Sequence, residues 1–479
     1  MDVHIKAKNF GPIEKAEIDL RPLTVFVGES NTGKTYLAAL IYALHQNFRG
    51  ISQFPWASSA ASYFSFISRS RDRYSQSRQE EVVQEMLKVL EKLNTPGRHF
   101  RFSDLPQQMS SRSQSILTDQ ENFTYELQRC FDLESASKLI RFTGSRGNEM
   151  KVSLSVREGD QTCWSFEAWD TGSGLTTDGH INPDMILLNA KRKTEVHEIS
   201  DVERLFRTLR NPRRETADSY YLPAARSGIM QSRDVLSTAL IKRATRIGLD
   251  RLEASTFSGM IADFLEQIFQ YREPKRLSSK ISRVAKQLEM ELLEGKIEVK
   301  RPTSEAYPEF LYRPEQAEDG LRMSHSSAMV SELAPLVLFL RGVLKRGDLL
   351  IIEEPESHLH PSAQTKIAQT LARLIRAGVH VIITTHSNYL LQQIGNLIRE
   401  GELRKQGEST SEKADYLKKE EVGAWEFYKN QPVTELLFDL IEGIEPEDHL
   451  DIAEDLYNRS AGLQNRIEQT KERDTVESE

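Results

Sequence analysis

The chain has 479 residues and a formal net charge of −8, and its share of apolar residues is ordinary for a protein that buries a core. This length predicts more than one domain, or one core with large insertions, and the acidic balance argues against a generally basic nucleic-acid-binding protein. No apolar run approaches the roughly 20 residues that cross a membrane, and the N-terminus lacks the apolar stretch of a secretory signal. Because the only cysteines are Cys130 and Cys163, we expect a reducing, cytoplasmic location and no membrane partner.

Hydropathy patterns along the chain predict a core that two insertions interrupt. Residues 3–27 alternate like paired strands, and apolar residues at helical spacing follow from Leu37 to Leu44. Further strands are predicted at 151–156, 163–168, 220–225, 297–300 and 309–313, and an amphipathic helix is predicted at 80–93. The predicted organisation is a core part over 1–50, a mainly helical insertion over 51–215, a core strand within 216–230, a helical insertion over 231–300, a second core part over 301–400, and a helical segment with a flexible tail over 401–479.

A phosphate-binding loop is predicted after the first core strands. The segment from Gly28 to Thr35 reads G-x-x-x-x-G-K-T, follows the apolar strand Leu23–Val27 and opens a helix. In such a loop, backbone N–H groups surround phosphate oxygens, the lysine reaches the β- and γ-phosphates, and the final hydroxyl is placed to bind Mg²⁺. Asn31 tolerates the left-handed backbone that this loop needs. The predicted nucleotide-binding residues are Gly28, Glu29, Ser30, Asn31, Thr32, Gly33, Lys34, Thr35 and Tyr36, with Thr35 also a metal ligand.

An apolar run that ends in two carboxylates predicts the second part of the site. Leu349–Ile352 is typical of a buried parallel strand, and Glu353 and Glu354 follow at its carboxyl end, where parallel sheets bind ligands. Adjacent strand residues face opposite sides, so the two acids have different roles. We expect Glu353 to hold Mg²⁺, directly or through water, and Glu354 to orient and deprotonate the attacking water.

A strand, a helix and a second strand continue this edge of the sheet. His358 and His360 resemble a metal pair only weakly, and we expect them in a loop near a subunit interface. Pro361 suits the first turn of a helix, and the strand Val379–Thr385 ends just before His386. His386 should therefore lie beside the two glutamates, where it can sense the γ-phosphate.

Together, GESNTGKT, LLIIEEPESHLHP and TTHS resemble the motifs of ATP-binding-cassette ATPases of the RecF, SMC and OLD kind. The resemblance covers about residues 1–50 and 320–395. It implies an α/β fold with an ABC-type P-loop NTPase core, a mixed, largely parallel sheet with flanking helices, interrupted by large helical insertions. It also implies that ATP and Mg²⁺ are bound.

The resemblance further implies a signature segment before the acidic strand and a homodimer or higher homo-oligomer. The candidate is the segment 325–333, in which Ser326 and Ser327 would contact the γ-phosphate of ATP bound to the opposite subunit. Ala328 stands where the family has glycine. Arg226 resembles an arginine of similar ATPases and would contact either the nucleotide or a partner.

Three functions are weighed. The first, which the resemblance implies, is a regulatory ATPase in anti-phage defence, and the complete motif set and the large insertions favour it. Its effector, a nuclease or toxin, would be a separate protein, because 401–479 lacks the strand-end carboxylates of a nuclease. The second is a RecF-like DNA-repair or DNA-maintenance ATPase that binds DNA through basic clusters at 191–193 and 207–214, although such runs are usually solvated faces. The third, a transport ATPase subunit, is disfavoured by the large insertions and by the Glu-Glu-Pro-Glu sequence.

Overall fold

The structure is a computed structural model that describes residues 2–48, 84, 88–89, 91–95, 97–142, 149–188, 217–244, 257–276, 279–301, 307–408, 415–441, 443–444 and 455–467. Its strands are β1 (Asp2–Phe10), β2 (Ile13–Leu20), β3 (Leu23–Gly28), β4 (Phe100–Arg101), β5 (Met150–Glu158), β6 (Gln161–Asp170), β7 (Leu175–Ile181), β8 (Ile186–Leu188), β9 (Ser219–Leu222), β10 (Gly295–Lys300), β11 (Glu309–Pro314), β12 (Leu321–Arg322), β13 (Leu349–Glu353), β14 (His380–Thr385), β15 (Val422–Phe427) and β16 (Thr434–Leu436). Its main helices are α1 (Lys34–Phe48), α2 (Gln107–Leu117), α3 (Gln120–Phe131), α4 (Arg226–Ala244), α5 (Gly259–Gln270), α6 (Lys280–Leu288), α7 (Ala328–Leu338), α8 (Pro361–Ala377) and α9 (Asn388–Lys405).

A six-stranded sheet in the order β16-β15-β3-β14-β13-β9 forms the centre of the fold, and all its strands except β16 run parallel. Side chains of successive residues on these strands point to opposite faces of the sheet and pack in two separate hydrophobic cores. Leu349 and Ile351 pack on the side of α1, whereas Leu350 and Ile352 pack on the side of α7 and α8. Both faces are thus covered, which explains why β13 is apolar without alternation. The predicted α/β fold with a largely parallel sheet is confirmed.

A second sheet of five antiparallel strands, in the order β2-β1-β5-β6-β7, packs against α1 and α3. Strands β5 to β7 come from the segment predicted as a mainly helical insertion, and β5 pairs along β1 from Arg157 opposite Asp2 to Lys151 opposite Lys8. In β5 every second side chain is buried, the pattern of a strand with one covered face. The described part of this segment therefore extends the N-terminal hairpin into a sheet, and its helices α2 and α3 lie beside that sheet.

The region after residue 400 also differs from the predicted helical segment. Its described residues include β15, which pairs with β3 in the central sheet. The run Val422–Phe427 has only six residues and lies in a polar stretch of sequence. The average composition of this region therefore does not reveal the strand. The other predicted domain boundaries stay predictions.

Two smaller expectations concern strands and membranes. The strands expected near 297–300 and 309–313 are present as β10 and β11, which pair in an antiparallel sheet with β12. Every helix of the described residues is too short or too polar to span the hydrocarbon core of a bilayer.

Candidate functional site

The carboxyl ends of four neighbouring parallel strands meet at one edge of the central sheet. In order across the sheet, β3 leads into the predicted phosphate loop, β14 into His386, β13 into Glu354 and β9 into Arg226. Thr385 pairs with Val27, and Thr384 pairs with Glu353, so the strands end at nearly the same level. Motifs that are more than 300 residues apart in the sequence are thereby brought together, as a ligand site in a parallel sheet requires.

The backbone of the loop depends on its glycines. Gly28 has φ +128° and Gly33 has φ +109°, and Asn31 takes the left-handed conformation with φ +65°. A Cβ on Gly28 would lie 2.3 Å from the carbonyl oxygen of Phe427, and a Cβ on Gly33 would lie 2.6 Å from Cγ1 of Ile13. The loop is thus held between β15 on one side and β2 on the other, with no space for side chains at either glycine.

Lys34 is folded back into this loop. Its Nζ donates to the carbonyl oxygens of Gly28 at 2.7 Å and Glu29 at 2.5 Å. Burial lowers the pKa of Lys34 to about 8, while the charges of Glu354, Glu356 and Glu29 favour its protonated form. The ammonium group therefore lies close to the strand-end acids, and a triphosphate would replace loop carbonyls as its partner.

The other loop residues leave polar groups open to a ligand. Thr32 donates its hydroxyl to the carbonyl oxygen of Glu29 at 2.8 Å, whereas the side chains of Ser30 and Thr35 are exposed. Tyr36 is half-buried, with its ring centroid 5.2 Å from that of Phe131 and 6.0 Å from that of Phe142. The Tyr36 ring thus packs against the aromatic rings of Phe131 and Phe142, and its contact with a nucleotide stays a prediction.

Glu353 is buried and held at both carboxylate oxygens. Tyr221 donates its hydroxyl to Oε1 at 2.8 Å, and the N–H of Ala224 donates to Oε2 at 2.9 Å. A carboxylate offers about four acceptor sites, so Glu353 retains capacity for a metal-bound water. Thr35 is exposed at the start of α1, and its hydroxyl is an oxygen ligand of the kind that Mg²⁺ prefers. That Thr35 and Glu353 share a metal ion stays a prediction. Among the described residues, no group of three or more His, Cys, Asp or Glu side chains is arranged to hold a metal ion by itself.

Glu354 has a left-handed backbone, with φ +42°, which turns it out of the strand. Its N–H donates to the carbonyl oxygen of Thr384 at 2.9 Å, and its Oε2 accepts from the hydroxyl of Ser357 at 3.0 Å. Its Oε1 lies 3.7 Å from Nε2 of His386, and its side chain is 40% exposed. The carboxylate is therefore fixed in place and still open to a water molecule, as a general base must be.

Glu356 is a site residue that the sequence reasoning missed. Its buried Oε1 accepts from the hydroxyl of Thr385 at 2.6 Å and from the N–H of His386 at 2.8 Å. Its buried Oε2 has no hydrogen-bond partner among the described residues, and burial raises the pKa of Glu356. The third acid of the Glu-Glu-Pro-Glu sequence was visible, but only the fold shows that it holds the histidine.

Arg226 does not occupy the position expected for a nucleotide or partner contact. It is 2% exposed, and its guanidinium donates to the carbonyl oxygens of Glu353 at 2.5 Å and Glu354 at 3.0 Å and pairs with Glu332. Burial removes the contact with solvent that a ligand-binding arginine needs. Arg226 instead binds the backbone carbonyl groups at the end of β13.

The predicted signature serines lie at the N-terminus of α7. The hydroxyl of Ser327 accepts from the N–H of Val330 at 3.3 Å, and that of Ser326 donates to the carbonyl oxygen of Met323 at 2.8 Å. Ser327 and Ala328 are exposed, and the hydrogen bonds of the two serines stay within residues 323–331. The structure does not bring these serines into contact with their own phosphate loop.

Two remaining motifs have different outcomes. His360 is the N-cap of α8, since its Nδ1 accepts from the N–H of Ser362 at 3.3 Å, and His358 is exposed with φ +61°. A capping role accounts for His360 without a metal.

The basic clusters at 191–193 and 207–214 lie outside the described residues, so the DNA contact stays a prediction.

Comparison with known proteins places this site in a family. The family model of the AAA ATPase domain matches residues 1–391. Over 72 residues the chain is 36% identical to the Old nuclease of Escherichia phage P2, a stretch that covers 15% of this chain and 12% of that protein.

Similar solved structures include the SMC head bound to the C-winged helix domain of ScpA, with 10% identity, 91% of this chain and 97% of that chain covered, and a TM-score of 0.42. The SMC head domain from Thermotoga maritima has 10% identity, covers 92% of this chain and 100% of its own, and gives a TM-score of 0.36. The recombination mediator protein RecF has 12% identity, covers 91% and 98%, and gives a TM-score of 0.35. The predicted RecF/OLD-like resemblance is confirmed, and the chain belongs to the AAA ATPase domain family.

Proposed function

We propose that the chain hydrolyses ATP in the presence of Mg²⁺ at a site that a second copy of the chain completes. The observation that carries this proposal is the convergence of Lys34, Glu354 and His386 at the ends of β3, β13 and β14. A phosphate-binding loop, a fixed and accessible carboxylate and a neighbouring histidine are the parts that phosphoryl transfer to water requires.

Each residue then has one chemical task. Lys34 leaves the carbonyl oxygens of its own loop and binds the β- and γ-phosphates. Glu354 accepts a proton from the attacking water, and His386, 3.7 Å from that carboxylate, donates to the γ-phosphate. Glu353 and Thr35 would hold Mg²⁺, which supplies neutralisation of the phosphate charge when it is bound.

The second copy would supply the start of its α7. A helix N-terminus attracts anions because its first N–H groups and its dipole face outward. Ser327 and Ala328 are exposed there, and the serine hydroxyls bond only within their own segment. A γ-phosphate that reaches them would therefore belong to the ATP of another copy, which favours a homodimer or larger homo-oligomer.

This ATPase would regulate a separate effector, a nuclease or toxin, in anti-phage defence. The similarity to the Old nuclease of Escherichia phage P2 supports a connection with nuclease systems. Purification with a neighbouring nuclease or toxin, and phage protection that needs both, would support this role. DNA binding by the chain alone, with log affinity falling linearly against log salt, would favour the repair ATPase instead.

The central experiment compares Glu354→Gln with Lys34→Ala. We expect Glu354→Gln to bind ATP, to lose turnover by about 10²- to 10⁴-fold and to accumulate as an ATP-dependent dimer in light scattering. Lys34→Ala should lose ATP binding and stay undimerised. Normal turnover by Glu354→Gln would refute its role as the base, and a wild-type chain that never cleaves ATP with Mg²⁺, alone or with its effector, would refute the proposal.

A further inference from the structure

Arg226 joins three elements that meet below the nucleotide site. Its Nη1 donates to the carbonyl oxygens of Pro223 at 3.0 Å and Glu353 at 2.5 Å. Its Nη2 donates to the carbonyl oxygen of Glu354 at 3.0 Å and forms an ion pair with Glu332 of α7. One buried guanidinium therefore connects the end of β9, the end of β13 and the helix that carries the signature serines.

The contact with Glu354 is made where the backbone is most constrained. A left-handed φ of +42° is unfavourable for a glutamate and persists only when its surroundings hold it. Thr384 holds the Glu354 N–H from β14, and Arg226 holds the Glu354 carbonyl oxygen. A shift of the Arg226 guanidinium would therefore change the direction of the Glu354 side chain.

The contact with Glu332 links this arrangement to the signature segment. Glu332 is fully buried and lies five residues after the helix cap Ser327. A second bond runs in parallel, from the Gln231 side-chain amide of α4 to the Ser331 hydroxyl at 3.2 Å, and that hydroxyl lies 3.2 Å from the Ser326 hydroxyl.

The residues of α7 from Val330 to Leu338 are all buried, so a displacement at its N-terminus would move the helix as a unit. A buried ion pair does not separate easily, because each charge would be left without a partner. Movement of α7 would therefore carry Glu332 and, with it, the Arg226 guanidinium.

We propose that Arg226 and Glu332 couple the signature segment to Glu354, so that binding of the second copy's nucleotide at Ser326 and Ser327 sets the position of the catalytic carboxylate. This inference rests on the proposed function. It assigns Arg226 as a positioning residue, which makes hydrolysis depend on assembly rather than on nucleotide binding alone. A monomer that binds ATP would then not hydrolyse it efficiently.

The test uses Arg226→Lys, which keeps the charge but loses the planar arrangement of donors. We expect kcat to fall by about 10- to 100-fold, as for a small misplacement of a catalytic group, with KM and ATP-induced dimerisation within about threefold of wild type. Dimerisation is measured in the Glu354→Gln background by light scattering. Arg373→Lys is the matched control, because Arg373 is 7% exposed and binds Asp415 and Glu291 elsewhere in the fold, and it should leave kcat unchanged.

Two further variants test the same coupling if Arg226→Lys does not fold. Glu332→Gln removes the charge of the partner while it keeps the shape, and Gln231→Ala breaks the parallel bond without burying an unpaired charge. We expect Glu332→Gln to lower kcat by about tenfold, because the guanidinium loses its charged partner. Gln231→Ala should lower kcat by about threefold, because only one neutral hydrogen bond is removed. Folded variants with wild-type kcat, or losses of kcat that follow losses of dimerisation or of melting temperature, overturn the inference. A wild-type chain without turnover refutes the proposed function and this inference with it, whereas wild-type turnover with unaffected variants refutes only the coupling.

Discussion

The two large sheets of this protein contribute to the site in different ways. The parallel sheet places chemistry at its strand ends, where backbone direction brings Lys34, Glu354 and His386 to one edge. The antiparallel sheet has no predicted catalytic residue and acts through contact, since Ile13 of β2 limits the space at Gly33 and Tyr36 packs over Gly11. Parallel strands all end on the same side, whereas antiparallel strands end alternately on both sides. One sheet can therefore assemble a site, and the other can support it.

Among the variants that test this comparison of the two sheets, the largest effect is expected from breaking the contact between them at the loop. Gly33→Ala forces a non-glycine residue to φ +109° and places its Cβ 2.6 Å from Ile13 Cγ1. Backbone strain of about 2 kcal/mol, with the clash in addition, should displace the loop and lower ATP affinity by at least about 30-fold. Titration with a fluorescent ATP analogue measures this loss.

Two variants separate the clash from the strain. Adding Ile13→Ala to Gly33→Ala should restore part of the affinity, because it removes the clash and leaves the strain. Gly172→Ala is the matched control, since Gly172 has φ +101° in the turn between β6 and β7 with nothing within 4 Å of an added Cβ. It should lower the melting temperature without changing ATP affinity. Equal affinity of Gly33→Ala and wild type would show that the antiparallel sheet does not support the loop.

A smaller effect is expected from Glu356, which belongs to the parallel sheet's edge. Glu356→Ala leaves the His386 N–H and the Thr385 hydroxyl without their acceptor. An unpaired buried donor costs about 1–3 kcal/mol, so we expect kcat to fall by about tenfold while KM changes little. Glu356→Gln keeps an acceptor in place and should remain within about threefold of wild type, as judged by steady-state ATPase kinetics. A tenfold loss in the glutamine variant would show that the charge, and not the position of His386, is what matters.

The smallest effect is a dependence of ATP affinity on pH. Lys34 has a pKa of about 8 because burial disfavours its charge, and bound phosphates would raise that pKa. Below pH 8 the lysine is charged before and after binding, so affinity is constant. Above pH 8 binding must take up a proton, so affinity should fall by about fivefold between pH 8 and pH 9. Calorimetry at both pH values should detect this fall, and Lys34→Met should bind weakly at both; a constant wild-type affinity up to pH 9.5 would contradict the prediction.

The local motifs of the site could be predicted from the amino-acid sequence alone. A glycine-bounded loop between a strand and a helix, an apolar strand that ends in acids, and a histidine after the next strand are each written in a few consecutive residues. Their backbone conformations depend mainly on those residues, and the common direction of parallel strands makes their meeting predictable. Asn31 is an example, because asparagine tolerates left-handed backbone angles and Asn31 has φ +65°.

The residues that hold these motifs in place could be identified only from long-range contacts in the folded protein. Tyr221 and Glu353 are 132 residues apart, and Arg226 and Glu353 are 127 apart, so no local pattern links them. The same holds for β5 and β15, whose sheet membership depends on pairing with β1 and β3 across long stretches of chain. Burial of a charged group is costly unless the group is paired. Which residue pairs with it depends on long-range packing and not on the neighbouring residues in the sequence.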